Sequence, residues 1–496
     1  MKGKVLGIFG LLVALCVFVT LMTADPWYNI GSSTFLQPNN IQNLLSRTAM
    51  FGILGIGVAF VIMTSGIDLS IGSLVCLSGI LLAMFLQVDY EPQFFTPVSN
   101  VDSNRSAFEV DSIPEGLKPG RKFRYTGGRR ADSGLFTVKS INDKLITVEE
   151  AISRNDTQGQ IALALPIVEV VQANAEGQNF SVTIQGTQNL KALDKLTLVH
   201  PKSGLKREAI TAVSQLDRAT QVVLANDPGS QVTSEWLALP QTRRQRMPIP
   251  VAIVSVLMIC GFLGLIHGLL VTRAHLQPFL VSLCGLLIYR GLSRWLTDDN
   301  PAGLAEYSST LCVVGTGNLP LWTTAAGDPI GIPYPLFFLL AIGILAAIFL
   351  NRTIWGRYLL ALGRNEEAAR FSGINTNKVI IMAFITCSTF AGLGGMLFAL
   401  SYPSISPSSF GNIYELYAIA AAVLGGCSLR GGEGSIIGVV IGTAVMQVLN
   451  NLILLLKIPG TLEYVIIGSV ILIGVLVDEM FRKVAAERRR KQRLQA

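Results

Sequence analysis

Charged residues are scarce in this sequence. Only 14% of its 496 residues are charged and half are hydrophobic, whereas a soluble domain carries roughly 25% charge. This scarcity excludes an ordinary soluble protein and predicts a polytopic membrane protein. The chain has only three histidines, and its seven cysteines are scattered and include no C-x-x-C pair. We therefore expect neither a metal site nor a disulfide framework. There is no G-x-x-x-x-G-K-[ST] motif, and the chain itself is not expected to bind ATP through a P-loop.

Long apolar runs separated by polar segments predict about ten transmembrane helices. Three runs fall in residues 1–88 and seven in residues 248–480. The first, Val5 to Met22, is near the length that crosses a bilayer; a signal peptide cleaved near Ala24 is the alternative. Basic residues stay on the cytoplasmic side. Lys2, Lys4 and the basic tail 481–496 therefore predict that both termini are cytoplasmic, in a bacterial inner-membrane protein.

The composition changes in residues 89–247. Charges of both signs become frequent there, and no long apolar run remains. Two similar series of short alternating apolar and polar segments, separated by turn residues, are typical of β-strands. We expect an inserted extracytoplasmic β-rich domain built from a duplicated module. Phe123, Tyr125 and Phe136 are interpreted as core residues of this insert.

Several polar residues interrupt the apolar runs and are candidates for a translocation pathway. Asp68, followed by Ser70, precedes an apolar run and also suits a helix cap that accepts hydrogen bonds from the backbone of Ser70 and Ile71. Arg290 either lines a cavity or extends to the membrane interface. Asn450 and Asn451 either line a wet cavity or form hydrogen bonds between helices.

A polar, arginine-rich loop, residues 352–378, lies between two apolar runs and is expected on the cytoplasmic side. Within it, Asn365 to Phe371 predicts a helix, because acids come early and an arginine comes late. Gly373 is placed to end that helix. A short exposed helix at the inner face indicates a docking surface, and an ordinary cytoplasmic loop is the alternative.

The loop resembles a known element. Glu367, Ala368, Ala369 and Gly373 have the E-A-A-x-x-x-G spacing of the EAA loop of ABC-transporter permeases, which couples the permease to its ATPase subunit. A longer stretch of the loop, from Gly363 to Ile374, is similar to a sequence motif of the ribose/galactose/xylose permease family. The resemblance implies that a set of residues contacts the ATPase: Gly363, Arg364, Asn365, Glu366, Glu367, Ala368, Ala369 and Gly373.

Further sequence motifs extend the resemblance over most of the membrane portion. Gly66 to Ser73 reads GIDLSIGS, and Tyr414 to Ala421 reads YELYAIAA, which adds Glu415 as a pathway candidate. The insert departs from the family, so its role is not implied. The resemblance implies a permease subunit that binds no cofactor and works with an ATP-using ABC ATPase, a periplasmic binding protein and a second permease subunit. A monosaccharide such as ribose is the expected solute, and a nucleoside or another small solute is the alternative.

These observations predict an all-α polytopic membrane protein of about ten transmembrane helices with an inserted extracytoplasmic β-rich domain. Its expected function is ATP-driven import of a small polar solute. Two other classes stay open. A secondary transporter or channel would not need the 352–378 loop, and a membrane-anchored sensor would work through its insert. No nucleic-acid partner is expected.

Overall fold

The structure is a computed structural model, and the chain divides into two compact units. One comprises residues 1–87 and 247–496, and the other comprises residues 88–246. The described residues are 2–25, 29–127, 134–152, 155, 159–171, 180–186, 188–200, 204–216, 218–226, 232–323, 329–462, 464–466, 468, 469, 472 and 476. The predicted basic tail, residues 481–496, lies outside them.

The first unit is helical. Its helices are α1 (Lys2–Met22), α2 (Pro38–Met63), α3 (Ile71–Phe85), α4 (Ile249–Thr272), α5 (Pro278–Leu296), α6 (Val313–Thr316), α7 (Tyr334–Arg352), α8 (Ile354–Arg364), α9 (Glu366–Phe371), α10 (Thr376–Ser401), α11 (Tyr414–Leu424) and α12 (Ile436–Leu455). Apolar helices satisfy their own backbone hydrogen bonds, which is what a bilayer requires.

The number of long spans differs from the prediction of ten. In the described part of the chain, seven helices are long and apolar enough to cross a membrane: α1, α2, α4, α5, α7, α10 and α12. The runs predicted as the third and eighth spans form helices of 15 and 11 residues, α3 and α11, and each follows a non-helical segment. Half of the tenth predicted span, Leu462 to about Val477, falls outside the described residues.

Helix α2 lies at the centre of this unit. Its apolar window is 83% buried, whereas that of α4 is 22% buried. It packs against α7, α10, α11 and α12. The Phe51 ring lies 5.0 Å from that of Phe398 on α10 and 4.8 Å from that of Tyr414 on α11. A helix that is apolar all round and buried belongs to the interior of a bundle, while α4, α5 and α7 keep exposed apolar faces.

The second unit is built from β-strands, and a hairpin of two more strands belongs to the first unit. The strands are β1 (Val88–Pro92), β2 (Phe95–Asp102), β3 (Ala107–Val110), β4 (Lys122–Gly127), β5 (Gly134–Asn142), β6 (Leu145–Val148), β7 (Gly159–Leu163), β8 (Leu165–Val171), β9 (Ser181–Gln185), β10 (Lys195–His200), β11 (Gly204–Leu216), β12 (Ala219–Leu224), β13 (Leu237–Gln245), β14 (Asn318–Thr323) and β15 (Pro329–Pro333).

Two closed six-stranded barrels make up the second unit. The first ring runs β2-β3-β6-β5-β4-β7 and closes on β2; the second runs β8-β9-β12-β11-β10-β13 and closes through the pairing of β13 with β8. Each strand of the first barrel therefore has a counterpart at the same place in the second. These barrels overturn the prediction of an all-α protein, because the alternating strand patterns of the insert form complete closed sheets with their own interiors.

The aromatic residues predicted as core lie inside the first barrel. Phe123, Tyr125 and Phe136 are buried around Phe108, whose ring centroid lies 5.4 Å from that of Phe123. Outside the barrels, β1 pairs antiparallel with β13, with Val88 opposite Gln245. The first and last strands of the unit are thereby joined, as expected of a domain whose two ends enter and leave at one point.

Candidate functional site

The 352–378 loop contains two helices with well-formed starts. Thr353 caps α8, since its hydroxyl accepts a hydrogen bond from the Gly356 N–H. The Asn365 side chain accepts from the Ala368 N–H at 2.9 Å and so begins α9. Glu366 pairs with Arg370 at 3.2 Å, with the acid near the positive end of the helix dipole and the base near the negative end.

Helix α9 ends at a glycine. Gly373 has a φ of +80°, a left-handed conformation that favours glycine. Its N–H donates to the Arg370 carbonyl, and the Ile374 N–H donates to the Ala369 carbonyl at 3.1 Å. This pair of bonds is the Schellman motif, which satisfies the last carbonyls of a helix. The motif fixes the direction in which the chain leaves α9.

The outward surface of α9 is polar apart from one large side chain. Glu366, Glu367 and Arg370 are exposed, and Ala369 is buried against the protein. Phe371 is 88% exposed, which is unusual for an aromatic ring at the end of a well-capped helix. The ring lies on the helix that the sequence predicts to contact an ATPase, so it is a candidate contact of that surface. Sequence reasoning missed Phe371, because only the fold shows which side it faces.

Gly363 and Arg364 are the last two residues of α8, and Gly363 packs closely against neighbouring backbone. A Cβ on Gly363 would overlap the Met63 carbonyl oxygen, and the Gly432 N–H donates to that same carbonyl at 3.0 Å. The Ser65 hydroxyl bonds the carbonyls of Arg430, at 2.9 Å, and Gly363, at 3.3 Å. The end of α8 is therefore joined to the end of α2 and to the turn before α12.

A cavity of about 550 Å³ with a mixed polar and apolar lining lies beside α9. Glu366, Glu367 and Arg370 line one side of it, and Ser65 and Gln277 are among the residues opposite. The surface of α9 thus continues into the segment that leads from α2 towards Asp68.

Asp68 lies in the non-helical segment between α2 and α3 and is only 1% exposed. Its Oδ1 accepts hydrogen bonds from the Ser70 N–H at 2.9 Å and the Ser70 hydroxyl at 2.7 Å. The predicted bond to Ser70 is present. Helix α3, however, starts at Ile71 with Ser70 as its cap residue, so Asp68 stabilises the turn before the helix. Its Oδ2 is buried without a hydrogen-bond partner among the described residues.

A histidine that sequence reasoning did not single out lies near this carboxylate. His267 of α4 is 3% exposed and shares a hydrogen bond of 2.9 Å with the Tyr289 hydroxyl of α5. The Ser282 hydroxyl of α5 donates to the Ile67 carbonyl at 3.1 Å. The first bond joins α4 to α5, and the second joins α5 to the segment around Asp68. The available signal was the position of a histidine inside an apolar span, where polar side chains need partners.

The two arginines of α5 have different surroundings. The Arg290 guanidinium donates to the carbonyls of Pro407, at 3.0 Å, and Phe410, at 2.6 Å, so it fastens the loop that precedes α11. Arg294 forms an exposed ion pair with Asp299 at 2.7 Å. The hydrogen bond from Arg294 and its positive charge lower the pKa of Asp299. Arg290 thus binds two backbone carbonyls through its Nη1.

The N-termini of the two short helices meet. A Cβ on Gly72, in the first turn of α3, would overlap the Glu415 carboxylate and the Gly411 carbonyl at the start of α11. The Cys76 thiol of α3 lies 3.7 Å from the Pro407 carbonyl that Arg290 also binds. Interrupted helices whose positive ends converge inside a membrane are a recurring element of transport sites.

Four predicted pathway residues therefore gather around the first half of α3: Asp68, Ser70, Arg290 and Glu415. The other two lie on α12. Asn451 exchanges hydrogen bonds with Asn40, and Asn450 is buried one residue before it. In the part of the chain that the structure describes, no cluster of side chains suited to a metal ion is found.

These features define an integral membrane protein with interrupted helices and an exposed, well-capped loop. The family described as "Branched-chain amino acid transport system / permease component" matches residues 220–475, which is more than half of the chain, and the chain belongs to this family. The predicted resemblance to a permease family is thereby confirmed.

Individual relatives are sugar permeases. The chain is 35% identical over 230 residues to the ribose import permease protein RbsC of Escherichia coli (strain K12), covering 46% of this chain and 68% of the relative. It is 29% identical over 287 residues to the xylose transport system permease protein XylH of Haemophilus influenzae, covering 48% and 76%. The D-allose transport system permease protein AlsC of Escherichia coli is 31% identical over 236 residues, covering 48% and 68%. No solved structure matches.

Proposed function

We propose that the chain is the translocation subunit of an ATP-driven importer of a monosaccharide, with ribose as the first candidate. The proposal is carried by one observation: the chain has sugar permeases as relatives and also exposes α9, the helix predicted to contact an ATPase. In this assignment an ABC ATPase subunit hydrolyses ATP and docks on α9, and this chain has no ATPase site of its own. A binding protein delivers the sugar from outside, and a second permease subunit completes the pathway.

The proposal places the chain in a bacterial inner membrane. Lys2, Lys4 and the arginines of the 352–378 loop are assigned to the cytoplasmic side, because basic loops remain there. The 88–246 unit then lies outside the cytoplasm. The pathway is assigned to the region around the first half of α3, where polar side chains and two helix N-termini meet.

The test is uptake of radiolabelled ribose by the cells from which the sequence comes, compared with the same cells lacking this chain. We expect accumulation that stops when ATP is depleted. Continued uptake after ATP depletion would favour a secondary transporter or channel instead. The same cells report which solute is carried, since unlabelled nucleosides and other sugars can be added as competitors.

Variants of α9 test its docking role. Phe371→Ala and Glu367→Lys should lower co-purification of the ATPase and reduce uptake, while the permease stays in the membrane. Gly373→Val should do the same through strain at a positive φ, whereas Gly373→Asn should be milder because asparagine tolerates that conformation. Trp322→Ala, at a 61% exposed aromatic on β14, is the matched control. Equal ATPase recovery from all four variants and the control would contradict the assignment.

A further inference from the structure

A second cavity, of about 430 Å³, lies between α2, α12, the end of α10 and the segment after α6. Its volume falls within the range of roughly 300–1,000 Å³ found for small-molecule sites. Six carboxamide side chains line it: Asn40, Gln42, Asn43, Asn318, Gln447 and Asn451. Arg47, Ser401 and Tyr402 also contribute, and no acidic side chain among the described residues does.

Part of this lining is fixed by internal hydrogen bonds. Asn40 and Asn451 bond each other through both amide groups, and Asn318 donates to the Gln42 carbonyl oxygen at 2.7 Å. These bonds hold the side chains in place before any solute arrives. A site whose polar groups are already positioned binds with less loss of conformational entropy.

Two donors in the lining have no hydrogen-bond partner in the described part of the chain. Gln447 is 2% exposed, and its Nε2 has no hydrogen-bond partner among the described residues; the same is true of the Arg47 Nε. Leaving a buried donor unsatisfied costs roughly 1–3 kcal/mol. Buried polar groups in native proteins are nearly always bonded to protein, water or ligand. The cavity therefore offers free donors to whatever enters it.

The chemistry of the lining selects a class of solute. Carboxamides and hydroxyls both donate and accept hydrogen bonds, as sugar hydroxyls do, and a guanidinium adds further donors. An ammonium group would meet Arg47 with no carboxylate to offset its charge. We propose that this cavity binds a neutral monosaccharide through its hydroxyl groups, with Gln447 and Arg47 as direct contacts. The permease then contributes to solute selection itself; this inference rests on the proposed function.

Binding is tested on the full-length chain alone in lipid nanodiscs, by saturation-transfer difference NMR with D-ribose. Wild-type protein should transfer saturation to the sugar. Gln447→Met, which keeps the length of the side chain and removes the amide, should weaken binding about tenfold, the effect of losing one good hydrogen bond. Asn351→Ala, an exposed amide at the end of α7 and outside the cavity, is the control and should bind as wild type does.

Two further measurements separate a ligand contact from a structural role. Without sugar, Gln447→Met should melt at the same temperature as wild type or higher, because the Nε2 that it removes has no hydrogen-bond partner among the described residues. At least one ribose that lacks a single hydroxyl should bind the wild type about tenfold more weakly than ribose does. The same sugar should bind Gln447→Met no more weakly than ribose binds that variant. A lower melting temperature together with unchanged discrimination among these sugars would overturn the inference.

The outcomes also separate this inference from the proposed function. Absence of saturation transfer to wild type, in a complete importer that carries ribose, would overturn the cavity assignment and leave the proposed function standing. Binding of a sugar acid but not of ribose would likewise overturn it. Ribose binding that Gln447→Met abolishes, in an importer that carries no sugar, would support the cavity and contradict the proposed function.

Discussion

Asn40 and Asn451 exchange two side-chain hydrogen bonds, of 3.1 and 2.7 Å, although 411 residues separate them in the chain. Asn40 also donates to the Phe35 carbonyl at 2.8 Å. The pair joins the first turn of α2 to the last turn of α12 and forms part of the 430 Å³ cavity. One interaction thus stabilises the bundle and shapes a site for a polar solute.

The amide pair should be measurable as a coupled unit. Asn451→Leu removes both bonds between the Asn40 amide and α12, and we expect a loss of about 1 kcal/mol, in the range found for hydrogen bonds between membrane helices. Thermal melting of the purified protein measures this. Asn40→Leu combined with Asn451→Leu should cost clearly less than the sum of the two single changes. Strict additivity would show that the two amides do not act together.

Gly363 should tolerate no side chain. In Gly363→Ala the new Cβ overlaps the Met63 carbonyl, a backbone atom that cannot move aside cheaply, so we expect destabilisation of roughly 1–3 kcal/mol. Gly291→Ala is the matched control, since nothing lies within 4 Å of a Cβ there and alanine favours the helix. The melting temperatures of both variants decide this; equal values would contradict the close packing of α8 on α2.

Asp68 should act first through its hydrogen bonds to Ser70. Asp68→Asn keeps an acceptor at the Oδ1 position and should be mild, whereas Asp68→Leu leaves the Ser70 N–H and hydroxyl unpaired and should cost roughly 1–3 kcal/mol. Melting and ribose uptake are measured on both. If both variants kept wild-type stability and neither transported, the carboxylate would have a direct role in the pathway.

The sequence predicted the features that short-range chemistry determines. Asn365 and Gly373 bound α9 because capping depends on residues a few positions apart. The strands of the insert follow from alternation. Its expected duplication stays a prediction, which the shared strand order of the two barrels supports. The fold class was wrong because that label described only the membrane portion.

The rest depends on contacts that a linear pattern does not contain. An apolar run predicts a buried segment, but not the length of its helix, and the third and eighth predicted spans form helices of only 15 and 11 residues. Pairing of Asn40 with Asn451, the approach of Glu415 to Gly72 and the exposure of Phe371 arise only when distant segments meet. The roles assigned to the predicted site residues remain proposals.

The 88–246 unit should fold without the membrane portion. Two closed barrels leave few unpaired strand edges, and the pairing of β1 with β13 closes the unit at its two ends. A chain of this size buries enough surface for a stable core, and it contains no cysteine, so no disulfide is needed. Residues 88–246 expressed alone should be soluble, show β-type circular dichroism and melt cooperatively.

Point variants make the same test sharper. Phe108→Ala, at the centre of the first aromatic core, should cost roughly 3–5 kcal/mol and lower the melting temperature of the isolated unit strongly. Val168→Ala, at a 58% exposed position on β8, should change it little. In spheroplasts of the full-length protein, external protease should cleave within the unit. A fragment that stays unfolded would refute its independence, and complete protection from protease would refute its extracytoplasmic location.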